Sequence, residues 1–316
     1  MMSEFARDQD CLKSWLQLFE KEISKTFDEL NHKWPLCYSP DTGCLDKDYK
    51  ESRIPQNRIN LLKAMQYSSS GGKRIRPLLA ASSYMAAGGR DILKNMSLIK
   101  FAISLEFIHS YSLIHDDLPA LDNDGLRRGR PTCHIKYGED MAIIAGDGLL
   151  NLSYEISSDA IKNMSDEDIG KGLDALVDLS KLAGICGMIG GQAMDITEDI
   201  LVSNQLIKMM VEKKTCALFM AAARIGARLA GADTEVLRRI TSFAFNIGMA
   251  FQLRDDELDG EEDKKSGKVT LYNTLEQAGE GDTVKGLTDK ALDYIKDLDN
   301  KEVLIALAKE LIGRSH

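Results

Sequence analysis

Proline is scarce, with six residues in a chain of 316, and no stretch of useful length alternates apolar with polar residues. Both deficits exclude a fold built mainly of strands and their turns. Cysteine is as sparse. Cys11, Cys37, Cys44, Cys133, Cys186 and Cys216 stand apart with no C-x-x-C pair, which is the usage of reduced packing thiols and not of a disulfide frame or a zinc site. Positive charge is not in excess: 40 Lys and Arg stand against 49 Asp and Glu, for a net charge of −9. A basic nucleic-acid surface is excluded on that count. No uninterrupted apolar run reaches the roughly 20 residues a membrane span needs, and "MMSEFARDQDCLKSW" lacks the apolar core of a signal peptide. The expectation is a cytoplasmic protein with no membrane span and no nucleic-acid partner. No Ser-His-Asp set or other activated nucleophile is apparent, and there are only five histidines.

What is abundant points to helix. The chain is 44% hydrophobic, ample for a sizeable core, and rich in Ala, Leu, Ile, Lys and Glu. Leu12, Trp15, Leu16, Phe19, Ile23 and Phe27 recur at helical spacing over residues 11–31. Pro35, Pro40, Gly43 and Pro55 then predict an irregular segment. From Asn57 onward one helical pattern follows another, broken at "SSSGGKR", "AGGRD", "LDNDG", "NMSDEDIG", "AGADTE" and "DGEEDKKSGK". Residues 1–56 therefore read as a helix with an irregular segment, and residues 57–316 as one large all-α domain.

Two apolar runs end abruptly in acid. The first closes in Asp116, Asp117 and Asp122, a D-D-x-x-x-x-D pattern; the second, "QLRDDELD", carries Gln252, Asp255, Asp256 and Asp259. In an unbroken helix residues six apart stand roughly 120° out of line. Pro119 disturbs the helix between them and lets Asp122 return toward Asp116. Asp255 and Asp259 share a helix face one turn apart. Carboxylates gathered this closely repel unless a cation lies between them. Hard Mg²⁺, with Mn²⁺ as a substitute, binds through a few carboxylates plus substrate phosphates.

A polyphosphate half-neutralised by metal needs basic partners as well. "GGKRIRP" offers Gly71, Gly72, Lys73, Arg74 and Arg76; Arg127 and Arg128 follow the first acidic motif; Lys213, Lys214 and Thr215 lie in "EKKTCAL", and Lys268 in "SGKVT". Glycine admits close backbone approach to an anion, and the arginine fork suits phosphate oxygens. His109 precedes Asp116 by seven residues, on the same helical face.

In this order, "GGKRIRP", "EFIHSYSLIHDDLPALDNDGLRRGRPT", "GGQAMD", "KKTCALF", "FQLRDDELD" and "GK-x-T", the motifs resemble those of the trans-prenyltransferase family, the all-helical isoprenyl diphosphate synthases, from about Leu61 to the C-terminus. The resemblance implies a single helical bundle around a central active-site cavity. It also implies head-to-tail condensation of isopentenyl diphosphate with an allylic diphosphate, and a homodimer. Carried over by position, Gly72, Lys73, Arg76, His109 and Arg128 receive isopentenyl diphosphate. Arg127, Lys214, Thr215, Gln252 and Lys268 contact the allylic diphosphate, and Gln192 and Asp195 support the reacting centre. Asp116, Asp117, Asp122, Asp255, Asp256 and Asp259 hold Mg²⁺, directly or one shell out, with catalysis centred on the first three and on Lys214, Thr215, Gln252 and Asp255.

The chain departs from the family pattern in three places. Glu257 adds an acid inside the second motif, "YSSSGGKR" is about one residue short, and the segment before Lys268 is compressed. Three alternatives stay open: a terpene cyclase, a His-Asp phosphohydrolase, for which histidines are too few, and a regulatory subunit that would have lost acids or arginines. Chain length turns on Tyr111 and Ser112, five and four residues before Asp116 and one turn further in. In the family resemblance an aromatic at the first position, with Pro119 and Ala120 inserted in the motif, goes with a farnesyl-length product; a geranylgeranyl product is the alternative.

Overall fold

The computed structural model describes residues 4–33, 56–197, 203–266 and 283–313. Lys268 and the irregular segment predicted around Pro35 to Pro55 lie outside the described residues. Helix dominates, and among the described residues the strands are one antiparallel pair, β1 (Leu126–Arg127) and β2 (Arg130–Pro131). The all-α architecture read from the sequence is the one observed.

The helices run α1 (Glu4–Lys33), α2 (Gln56–Ser69), α3 (Ile75–Ala86), α4 (Met96–Asp116), α5 (Cys133–Tyr137), α6 (Glu139–Lys162), α7 (Ile169–Ala183), α8 (Met188–Asp195) and α9 (Asn204–Val211). A π-turn over Glu212–Cys216 leads into α10 (Ala217–Ala230), followed by α11 (Thr234–Ser266), α12 (Val284–Ile295) and α13 (Glu302–Ile312). By length and composition α4 would span a bilayer, but its most apolar window is 72% buried inside the protein, as in a core helix.

Local chemistry sets the helix ends. α10 stops at Gly231, whose φ of +80° suits glycine; Gly231 N–H donates to the Arg228 carbonyl at 2.9 Å and Ala232 N–H to Ala227 at 3.0 Å. Asp233 then caps α11, its carboxylate accepting from Val236 N–H at 2.8 Å. Asn95 does the same for α4, accepting from Leu98 N–H at 2.9 Å.

The chain divides into two compact units, one of residues 1–15, 75–105 and 156–316, the other of residues 16–74 and 106–155. The crossings at residues 15, 105 and 155 fall inside α1, α4 and α6. In the first unit α3 and α10 approach at backbone distance: a Cβ on Gly226 would lie 2.0 Å from the Ala80 carbonyl oxygen. Leu79, Phe219, Ile225 and Phe243 are fully buried there, each contributing about 1.5–3 kcal/mol. In the second unit Phe27 of α1 meets Phe107 of α4 at 5.7 Å between ring centroids.

Candidate active site

The first acidic motif is built by the way α4 ends. Pro119 has no N–H to offer the His115 carbonyl, which accepts from Leu118 at 3.1 Å instead. The chain then folds back, and Asp122 N–H donates to the Asp116 carbonyl at 2.9 Å. This return brings the backbone of Asp122 back against that of Asp116. Asp117 is buried, and its carboxylate accepts from Arg127 Nε at 2.6 Å. Arg127 also reaches Asp124 at 3.0 Å. Burial pushes the Asp117 carboxyl above its ordinary value, Arg127 draws it back, and the nearby Asp124 and Asp122 add to the rise.

Arg127 and Arg128 diverge because a hairpin turns between them and the residues that follow. Arg127 pairs with Arg130, leaving a two-residue loop of Arg128 (φ +54°) and Gly129 (φ +70°). Both values are positive, as a tight hairpin of this twist requires, at a cost for arginine of about 1–2 kcal/mol. Arg128 thereby points away from the aspartates and donates to the Gly71 carbonyl at 3.1 Å. The Arg128 guanidinium lies over Gly72, 2.5 Å from where a Cβ would stand, and the φ of +89° at Gly72 demands glycine there. Burial, foremost, and the charges of Arg74, Arg127 and Arg130 lower the Arg128 pKa, against the pull of Glu106. Tyr67 steadies the hairpin: its hydroxyl donates to the Pro131 carbonyl at 2.8 Å, and the Arg130 guanidinium lies 4.0 Å from its ring centroid. Gly72, Asp117, Arg127, Arg128 and Tyr67 line one cavity of about 200 Å³.

Lys73 is exposed beside that cavity's glycines, whereas the next residue, Arg74, turns inward and is 4% exposed. Arg74 donates to Glu106 at 2.6 Å, to Glu20 at 2.6 and 3.1 Å and to the Ser69 carbonyl at 2.9 Å. Burial lowers its pKa, and the hydrogen bonds and charges of Glu20 and Glu106 more than offset this, for a net rise. Arg74, expected from the sequence among the phosphate partners, is instead a buried strut held by Glu20 and Glu106. Its signal was an arginine between Lys73 and Arg76, indistinguishable from its neighbours without Glu20 and Glu106 in view.

On α4, His109 is half-buried and its carbonyl accepts from Ser112 Oγ at 2.9 Å. Tyr111 is 6% exposed, and its hydroxyl is buried without a hydrogen-bond partner among the described residues. Burial first, then Tyr154 and Asp116, push the phenol up to about 12, so it stays neutral.

The other candidate residues belong to the unit containing α8, α10 and α11. The π-turn carries Lys214 and Thr215, a local widening often found at functional sites. Lys214 Nζ donates to Asp195 of α8 at 2.5 Å. Thr215 Oγ1 donates to Gln252 Oε1 at 2.9 Å, and Gln252 Nε2 donates to Asp256 at 2.8 Å. Asp256 is thus buried and orients the glutamine amide. Gly191 was missed in the sequence: a Cβ there would meet the Lys214 backbone nitrogen at 2.1 Å, so α8 and the π-turn touch backbone to backbone. Gln192 Nε2 is buried without a partner among the described residues, and Arg76 lies 5.2 Å from the Phe219 ring centroid. Asp255 is half-buried on α11, which also contains Asp259. Glu257 pairs with Arg254 at 3.0 Å, one turn of α11 away.

Among the described residues no three His, Cys, Asp or Glu side chains stand ready as a metal cage. The donors are nonetheless all carboxylate oxygens, and Asp117 is crowded by Asp122 and Asp124 in a buried setting. That chemistry fits Mg²⁺, which completes its shell from substrate phosphates and water.

A family profile described as polyprenyl synthetase matches residues 59–274. The chain is 38% identical over 272 residues to the farnesyl diphosphate synthase of Geobacillus stearothermophilus, covering 81% of this chain and 89% of that one. It is 37% identical over 286 residues to the geranylgeranyl diphosphate synthase of Cyanophora paradoxa, covering 85% and 93%. Among solved structures, an FPP/GFPP synthase from Zymomonas mobilis superposes with a TM-score of 0.75 at 30% identity, covering 96% of this chain and 99% of the other.

Proposed function

Because the chain belongs to the polyprenyl synthetase family, an enzyme family of prenyl transfer, we propose that it condenses isopentenyl diphosphate with dimethylallyl and then geranyl diphosphate, head to tail, and stops at farnesyl diphosphate. The observation that carries this reading is the cavity where Gly72, Asp117, Arg127 and Arg128 meet, acid and base turned to different partners around one space. Such a site suits two diphosphates of separate roles.

In the proposed reaction the allylic carbon–oxygen bond breaks with its electron pair leaving on diphosphate. The double bond of isopentenyl diphosphate attacks the allylic cation, and a proton is lost to the departing diphosphate. Lys73, Arg76, His109 and Arg128 hold isopentenyl diphosphate, with Gly72 admitting it closely. Arg127, Lys214 and Thr215, with Lys268, hold the allylic diphosphate. The Thr215 hydroxyl and the Gln252 amide, oriented by Asp256, present fixed dipoles to developing positive charge, and Gln192 and Asp195 support them. Asp116, Asp117, Asp122, Asp255, Asp256 and Asp259 would hold Mg²⁺, or Mn²⁺ in its place. When bound, the metal neutralises diphosphate charge and so favours its departure. Tyr111, beside the smaller Ser112, forms the floor that ends chain growth. The enzyme is read as a cytoplasmic homodimer, and the half-exposed Ile143 and Ile144 on α6 support a second copy as their cover.

Asp116→Ala and Asp255→Ala test the chemistry. Each should lower Mg²⁺-dependent turnover by about a hundred- to a thousandfold, comparable to losing a principal electrostatic stabiliser, with the helical circular dichroism unchanged. Near-normal turnover by both variants in excess chelator overturns the reading.

A further inference from the structure

We propose that His115 and Gly146 position Tyr111 and thereby set where chain growth stops, an inference that rests on reading Tyr111 as the floor. His115 follows Tyr111 by four residues on α4, so the two side chains lie on one face. Their rings meet edge to face, with centroids 5.8 Å apart and planes at 73°. The Tyr111 hydroxyl has no hydrogen-bond partner among the described residues. Its polar end is therefore not tethered, and the ring depends on its neighbours for its place.

His115 is itself held from α6. Its Nε2 lies 3.1 Å from the Ile143 carbonyl oxygen, which only accepts, so Nε2 is the protonated nitrogen. The ring fills a notch left by Gly146. A Cβ at Gly146 would stand 2.1 Å from His115 Nε2 and 2.5 Å from Cδ2. Glycine inside a helix is destabilising relative to alanine, and Gly146 has no positive φ to require it. The missing side chain answers instead to the imidazole. Gly146 and Ile143 seat His115, and His115 braces Tyr111. His115 is a positioning residue in this account, acting on product length through the tyrosine.

The test is the ratio of geranylgeranyl to farnesyl diphosphate made from isopentenyl and dimethylallyl diphosphates. His115→Ala removes the brace, and Gly146→Ala unseats it. Each should raise the ratio about fivefold, the size of one aromatic edge contact. In the His115→Ala background, Gly146→Ala should add nothing, because there is no ring left to displace. A loss of folded enzyme alone lowers total turnover without moving the ratio. Tyr111→Ala is run alongside. If it lengthens the product while His115→Ala and Gly146→Ala keep the wild-type ratio, the positioning role is refuted and the floor stands. Equal lengthening by Gly146→Ala with and without His115 also refutes it. If Tyr111→Ala leaves the products unchanged, the floor itself falls, and this inference with it.

Discussion

Arg127 and Arg128 are adjacent in sequence and opposite in allegiance. One is drawn to Asp117 and Asp124, the other to the Gly71 carbonyl under Gly72. The account predicts a kinetic split. Arg128→Ala should raise KM for isopentenyl diphosphate by about 10- to 100-fold, the loss of a charge-assisted contact of roughly 1.5–3 kcal/mol, with a smaller effect on the allylic substrate. Arg127→Ala should act mainly on the allylic substrate. Steady-state kinetics showing the reverse pattern refute the assignment. Divergence itself was legible, since neighbouring residues face apart; that a positive-φ hairpin turn enforces it was not, because "RRGRP" names no partner for either guanidinium.

At the scale of the element, two features govern where the site's side chains stand. The loop carrying Gly72 and Lys73 is anchored by Arg74. Arg74→Met leaves Glu106, 2% exposed, without its cation, a loss of about 3–5 kcal/mol and on the order of 10 °C in Tm. Thermal unfolding checks this, and Arg74→Met with Glu106→Gln should recover part of the loss; a Tm unchanged by the single substitution contradicts the strut. The second feature is the π-turn that presents Lys214 and Thr215 against α8. Gly191→Ala drives a methyl into the Lys214 backbone, an overpacking of about 1–3 kcal/mol. It should lower turnover more than tenfold through loss of the Lys214–Asp195 and Thr215–Gln252 bonds, and wild-type turnover would show the contact to be slack. Helix ends were readable from local signals, as Gly231 and Pro119 illustrate. The π-turn was not, because no residue type in "EKKTC" demands the extra residue; it depends on packing with Gly191.

Across the whole molecule the acidic motifs fall in different compact units, Asp116, Asp117 and Asp122 in one, Asp255 and Asp256 in the other. The sequence pattern showed the motifs because each closes an apolar run. The division into units was hidden at three of its four crossings, which fall inside the continuous helices α1, α4 and α6; the fourth, between Arg74 and Ile75, follows the glycine break "SSSGGKR". Relatives named for farnesyl and for geranylgeranyl products match the chain almost equally, at 38% and 37% identity. Overall identity therefore does not distinguish the two products, and the proposal rests chain length on Tyr111. The most direct test is product analysis with Mg²⁺, isopentenyl diphosphate and, in parallel, dimethylallyl, geranyl and farnesyl diphosphates. The account predicts farnesyl diphosphate and released diphosphate from the first two primers and little extension of the third. No elongation with any primer, a cyclic hydrocarbon, or geranylgeranyl diphosphate as the main product would contradict it.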